Sequence, residues 1–235
     1  MLIWAACGVA GMALGTRGKS VEVQRARWGK TASYFAIVAL LILFALRAGP
    51  TLVAVGLIIV VGGALEIGRA ARANRPVDSS FLSYRVLAGA VYCALALGFL
   101  GFLAISRPPE IVSAFFTVFC FDAFSQVSGQ LFGKHQLSPK VSPNKTVEGL
   151  LGGLIAAMAA GWIASTWSPA SYWPVRTALI AVSSLTGDLA ASHFKRRHGI
   201  KDFSNWIPYQ GGFLDRFDSL IAAGSAAYLF ALLCG

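Results

Sequence analysis

The chain has 235 residues, of which 56% are hydrophobic and only 13% charged, with a mean hydropathy of +0.66. Soluble domains carry about 25% charged residues, so a water-soluble enzyme, a disordered chain and a secreted disulfide scaffold are excluded. Lys and Arg number 20 against 10 Asp and Glu, a net +10 that invites a nucleic-acid partner but has a second use in a membrane chain.

A membrane-spanning helix needs roughly 17 to 25 mainly apolar residues. By that measure, runs fall at about 2–16, 32–47, 50–66, 85–105, 111–132, 149–166, 174–192 and 217–234. The expected fold is all-α: a polytopic membrane protein of about eight transmembrane helices with short loops. It divides into N-terminal transmembrane helices (1–105) and a C-terminal transmembrane catalytic region (106–235) with two cytoplasmic motif loops. The first run reads as a span rather than a cleaved leader, because Arg17 and Lys19 follow it and no basic residue precedes it. Ala48-Gly49-Pro50, Arg107-Pro108-Pro109-Glu110 and residues 168–172 read as tight reversals. Cys7, Cys93, Cys120 and Cys234 lie in apolar runs without CxxC spacing and read as small core hydrophobes.

The cations sort by loop. Seventeen of the 20 fall after runs one, three, five and seven, and only Arg47, Arg107 and Arg176 lie in the alternate loops. The positive-inside rule makes the basic face cytoplasmic. The expected location is the cell inner membrane, with the chemistry on the cytoplasmic side and no nucleic acid as partner.

Glu22, Glu66, Asp78 and Glu110 sit in loops or at run ends and read as solvated surface. The other six acids, Asp122, Glu148, Asp188, Asp202, Asp215 and Asp218, lie in or beside the last two basic loops. Asp122 and Asp188 fall inside apolar runs, where an ionised carboxylate costs about 3 kcal/mol, so such groups face a cavity or a cation and usually mark a site. Pairing with Lys or Arg of a neighbouring helix is the competing explanation. Asp188, Ser192 and Lys195 share one helical face at i, i+4 and i+7, with Asp188 about 6–10 Å below the water boundary. Asp215 and Asp218, at i and i+3, project from one face of the last helix's first turn. Gly211-Gly212 before them is either a turn or a place where backbone approaches a ligand. Carboxylates collect hard cations such as Mg²⁺ and Lys/Arg clusters collect phosphates, so together they compose a phosphoryl- or nucleotidyl-transfer centre. His135, His193 and His198 lie in basic loops and read as solvated or phosphate-contacting groups.

Ser192-His193-Phe194-Lys195-Arg196, then Lys201-Asp202-Phe203-Ser204, then Ile207-Pro208-Tyr209-Gln210-Gly211-Gly212-Phe213-Leu214-Asp215-Arg216-Phe217-Asp218 make a block of 27 contiguous residues. The block closely resembles the signature of the phosphatidate cytidylyltransferases (CDP-diacylglycerol synthases). A second segment is similar to the family's other cytoplasmic motif: Asp122, Gly133-Lys134, Pro139-Lys140, and Ser142-Pro143-Asn144-Lys145-Thr146 before Glu148-Gly149. Thr186-Gly187-Asp188-Leu189 also matches, and the resemblance covers roughly the C-terminal half.

The resemblance implies that CTP and phosphatidate give CDP-diacylglycerol and pyrophosphate, with Mg²⁺ held by Asp188, Asp215 and Asp218. It implies Asp202 and Lys201 beside them in the catalytic group, and Ser192, Lys195, Arg196 and Arg216 at phosphates. Ser142, Asn144, Lys145, Thr146 and Glu148 would form the other wall, and Gln210, Gly211 and Gly212 would complete the substrate contacts. The family has His where this chain has Gln210, and a basic residue is common where it has Gln130. A Gln donates a hydrogen bond to phosphate but carries no charge. These two departures keep open a CTP-dependent enzyme acting on another lipid phosphate or a polyprenol. A transporter with an intramembrane Asp relay accounts for Asp122 and Asp188 but not for the loop signature. A homodimer is the assembly to be tested.

Overall fold

Backbone polar groups in lipid must bond within their own segment, which leaves a long apolar run little choice but a helix. The computed structural model describes residues 21–47, 49–73, 79–168, 172–207 and 211–234. It contains α1 (Val21–Arg47), α2 (Pro50–Ala73), α3 (Ser79–Ile105), α4 (Pro108–Phe132), α5 (Val147–Ser165), α6 (Trp173–Arg197) and α7 (Leu214–Cys234). Proline occurs in these helices only in the first turn, at Pro50, Pro108, Pro109 and Pro174, where its missing N–H is harmless. Pro108, Pro109 and Glu110 therefore open α4 instead of forming a loop, and the Arg107 amide donates to Glu110 Oε2 at 3.2 Å.

Among the described residues, five segments are long and apolar enough to cross a membrane: α2, Leu82–Ile105 within α3, α4, α5 and α7. Of the eight expected runs, the one at 32–47 appears as a shorter apolar stretch, Phe35–Arg47. The run at 174–192 lies in α6, a 25-residue helix and the most polar of the seven. Asp188, its hydroxyls and its terminal Lys195-Arg196-Arg197 account for that. The run at 2–16 lies outside the described residues.

Helices in lipid gain no hydrophobic energy from meeting, so they associate through close approach at small side chains. On α5, Gly149, Gly153, Ala157, Ala160, Gly161 and Ala164 form a buried seam. A Cβ at Gly153 would meet the Phe121 carbonyl oxygen of α4 at 2.9 Å and Ser125 Oγ more closely still. On α7, Ala222, Ala223, Gly224 and Ser225 are buried in the same manner, with Gly187 of α6 set against Ala222. One core cluster runs from Leu41 of α1 to Ala227 of α7, so the N-terminal and C-terminal regions share it. At the end away from the motif loops, Arg176 donates to Ser113 Oγ and to the Glu110 carbonyl, both at 2.9 Å, tying α4 to α6. Cys120 is buried, but Cys93 and Cys234 are exposed on the apolar exterior and are not core residues; Cys7 lies outside the described residues.

Among the described residues, one hairpin interrupts the helices. Gln136–Ser138 (β1) and Ser142–Thr146 (β2) pair antiparallel, with Gln136 opposite Thr146 and Ser138 opposite Ser142. The turn through Pro139-Lys140 closes with the Val141 amide on the Ser138 carbonyl at 3.2 Å. A loop of this length must find partners for its amides, and the hairpin supplies them.

Candidate active site

Three helices bring three carboxylates to one end of the bundle. Asp122 of α4, Asp188 of α6 and Asp218 of α7 lie within electrostatic reach of one another. Ser184 Oγ donates to Asp122 at 3.2 Å, and Ser192 Oγ donates to Asp188 Oδ1 at 3.3 Å, one helical turn away. Like charges gathered this way require cations. Lys145 reaches over from β2 to Asp188 Oδ2 at 2.6 Å. Lys145 and Arg216 also act on Asp122, and Lys195 acts on Asp218.

The hairpin is built to deliver Lys145. Thr146 caps α5, its hydroxyl accepting the Gly149 amide at 3.1 Å. Glu148 Oε2 accepts the Lys134 and His135 amides at 3.1 and 3.3 Å, and its Oε1 accepts from His135 Nδ1 at 2.6 Å. Arg196 of α6 donates a long 3.4 Å bond to the Val141 carbonyl in the turn. Thr146 and Glu148 thus fix the hairpin while Lys145, the residue just before Thr146, faces Asp188. Asn144 is exposed and Ser142 half-buried on the same strand.

Asp215 and Asp218 have separate partners. Asp215 turns back into the loop before α7: its Oδ1 takes Lys195 Nζ at 2.7 Å, and its Oδ2 accepts the Phe203 and Gly212 amides at 2.8 and 2.9 Å. The side chain is only 3% exposed. Gly211 sits at φ +88°, where a side chain would be strained, and exchanges backbone hydrogen bonds with Ile207. Gly212 packs on the carboxylate of Glu66, so both glycines serve the loop in this structure. Lys201 and Asp202 are exposed on that loop. Gln210 lies outside the described residues.

Two expectations are overturned. Glu66, read as solvated, is completely buried. It accepts from Ser204 Oγ, from the Phe213 amide at 3.0 Å and from the Leu214 amide at 2.8 Å. The first amides of a helix have no partner within it, and here a carboxylate from α2 satisfies them. The signal available in the sequence was Gly62-Gly63, one turn earlier, where Phe213 and Leu214 pack directly against the backbone. His198 is also buried, stacked on Phe194 at a 4.0 Å ring separation, with Nδ1 donating to the Phe194 carbonyl at 2.9 Å. It is a core residue. His193 and His135 are exposed as expected.

Asp122, Asp188 and Asp218 offer the hard oxygen donors that suit a divalent cation, and the Lys145 ammonium already stands against Asp188 as a cation. Among the described residues, no three donors converge into a ready-made metal cage.

Carboxylates inside a membrane bundle, met by lysines from a hairpin and a helix end, define a class of membrane-embedded site suited to phosphate-bearing substrates. The model of the Cytidylyltransferase family matches residues 17–234, and the chain belongs to that family. It is 40% identical over 126 residues to the phosphatidate cytidylyltransferase of Brucella abortus biovar 1 (strain 9-941), covering 52% of this chain and 47% of that protein. It is 35% identical over 158 residues to the phosphatidate cytidylyltransferase of Staphylococcus saprophyticus, covering 60% of this chain and 61% of that protein. The protein of that name from Haemophilus influenzae is 42% identical over 122 residues, covering 48% of this chain and 42% of its own length. The chain spans about half the length of the curated relatives it matches.

Proposed function

We propose that the protein transfers the cytidylyl group of CTP to phosphatidate, giving CDP-diacylglycerol and pyrophosphate. The observation that carries this reading is the 2.6 Å Lys145–Asp188 pair beside Asp122 and Asp218, an intramembrane carboxylate group neutralised by a mobile type of cation. A phosphate oxygen of phosphatidate attacks the α-phosphorus of CTP, and the bond from that phosphorus to the bridging oxygen of the β-phosphate breaks. The nucleophile is already anionic, so the site needs charge neutralisation and in-line positioning rather than a strong base. Lys145 and Lys195, which stand on Asp188 and Asp215, would turn to phosphate oxygens, with Arg196, Arg216 and Ser192 beside them. Ser142 and Asn144 would face the nucleotide from the hairpin, and Lys201 and Asp202 would guard the rim. Asp188 and Asp218 would hold Mg²⁺ with Asp122, while Asp215 would join them only on releasing Lys195. When bound, the metal neutralises triphosphate charge.

The reading includes eight membrane crossings, a site facing the cytoplasm from the inner membrane, and a homodimer; the basic loops support the orientation. Gln210 favours one second reading, in which the acceptor is a different lipid phosphate. Purified protein in lipid should convert labelled CTP and phosphatidate to CDP-diacylglycerol only with Mg²⁺. Product from another lipid phosphate, with none from phosphatidate, would move the acceptor to the second reading. No transfer to any lipid phosphate would overturn both.

A further inference from the structure

Two carboxylates pinch the loop that precedes α7. Asp215 binds the amides of Phe203 and Gly212; Glu66 binds Ser204 Oγ and the amides of Phe213 and Leu214. Adjacent residues on both limbs of the loop are therefore held, one carboxylate on each side. Helix N-termini are ordinarily capped by a nearby residue of the same segment. Glu66 is 138 residues from Ser204 and belongs to a different helix. A carboxylate buried completely is costly unless it does something a neutral side chain cannot. Holding three donors from a remote helix fixes where α7 begins relative to α2. Asp218 lies one turn into α7, and Lys195 is aimed by Asp215 in that same first turn.

We infer that Glu66 is a positioning residue for the site, setting the placement of the α7 first turn and hence of Asp215, Lys195 and Asp218 against Asp188. The catalytic part of this inference rests on the cytidylyl-transfer reading. Glu66→Gln keeps the shape and one acceptor oxygen but turns an amide NH₂ toward a backbone N–H. In the full-length protein in lipid, kcat should fall about 10- to 100-fold while the CTP KM stays within about threefold, because a misplacement of about 1 Å acts on the transition state rather than on ground-state binding. Amide exchange across residues 203–217 should speed up about tenfold, with α5 unchanged. Ser204→Ala, which removes one donor and keeps the charge, should give the same pattern on a smaller scale, and it decides the matter if Glu66→Gln does not fold.

Unchanged exchange in 203–217 would overturn the inference whatever the activity. Faster exchange with wild-type kcat would reduce Glu66 to a structural anchor and overturn it also. Faster exchange in a protein whose wild type transfers nothing would support the anchor and sink the cytidylyl-transfer reading instead.

Discussion

Asp188 and Asp215 are chemically the same residue in two different situations. Asp188 is 35% exposed and shared between Lys145 and Ser192 Oγ. Asp215 is 3% exposed, and both its oxygens are committed to Lys195 and to the loop amides. Removing one partner of a buried ion pair destabilises by about 3–5 kcal/mol, so Asp215→Ala should lower stability by about 3 kcal/mol in a thermal or denaturant melt. Asp188→Asn should melt like the wild type and yet lose at least about 100-fold in kcat. Equal melts for the two variants would remove the distinction drawn between them. Helical spacing put Asp188, Ser192 and Lys195 on one face correctly, since that follows from 3.6 residues per turn. It also put Asp215 and Asp218 on one face, but spacing says nothing about which oxygens the backbone has already taken. Glu66 reads as solvated yet is buried for a similar reason: a position at the end of an apolar run does not reveal what packs over it.

Among the elements, the α4–α5 seam is the most constrained. Gly153 lies against Phe121 and Ser125, so a leucine there must push the helices apart. Overpacking costs about 1–3 kcal/mol, and Gly153→Leu should fall at the upper end by thermal melting in detergent. Thr146→Ala removes the α5 cap and should cost about 1 kcal/mol while loosening the strand that carries Lys145. Its CTP KM should therefore rise, while its melting temperature falls by only the few degrees that about 1 kcal/mol corresponds to. The apolar runs were legible because lipid leaves so few backbone solutions, but helix starts were blurred where proline opened α4 and where polar residues carried α1, α3 and α7 beyond their apolar runs. The hairpin was not legible. Its strands are short and polar, and their pairing depends on a turn and on Glu148 gathering two amides, neither of which leaves a periodic trace.

Across the whole molecule, charge separates the two ends of the bundle. Lys145, Lys195 and Arg216 gather at the carboxylates with Arg196 on the adjoining hairpin turn, while Arg176 and Arg107 lie at the opposite ends of α6 and α4. In otherwise cysteine-free protein, a single cysteine at Ser142 should react with a membrane-impermeant reagent only in inside-out vesicles, and one at Ser106 only in right-side-out vesicles. Labelling of both from the same side would refute the orientation. The net charge of +10 needed no nucleic acid to explain it once sorted by loop. The site was legible in outline because its motifs are contiguous in the C-terminal half, whereas its support from α2 crosses the whole chain.

That support limits how far the motifs could be transplanted. A chain beginning at residue 106 would contain every motif aspartate and lysine named above. It would nonetheless leave Ser204 Oγ and the Phe213 and Leu214 amides searching for an acceptor at the edge of the bilayer. The motif-bearing half is therefore not a portable cassette. If the chain were split between α3 and α4, the halves would have to reassemble before the site existed at all.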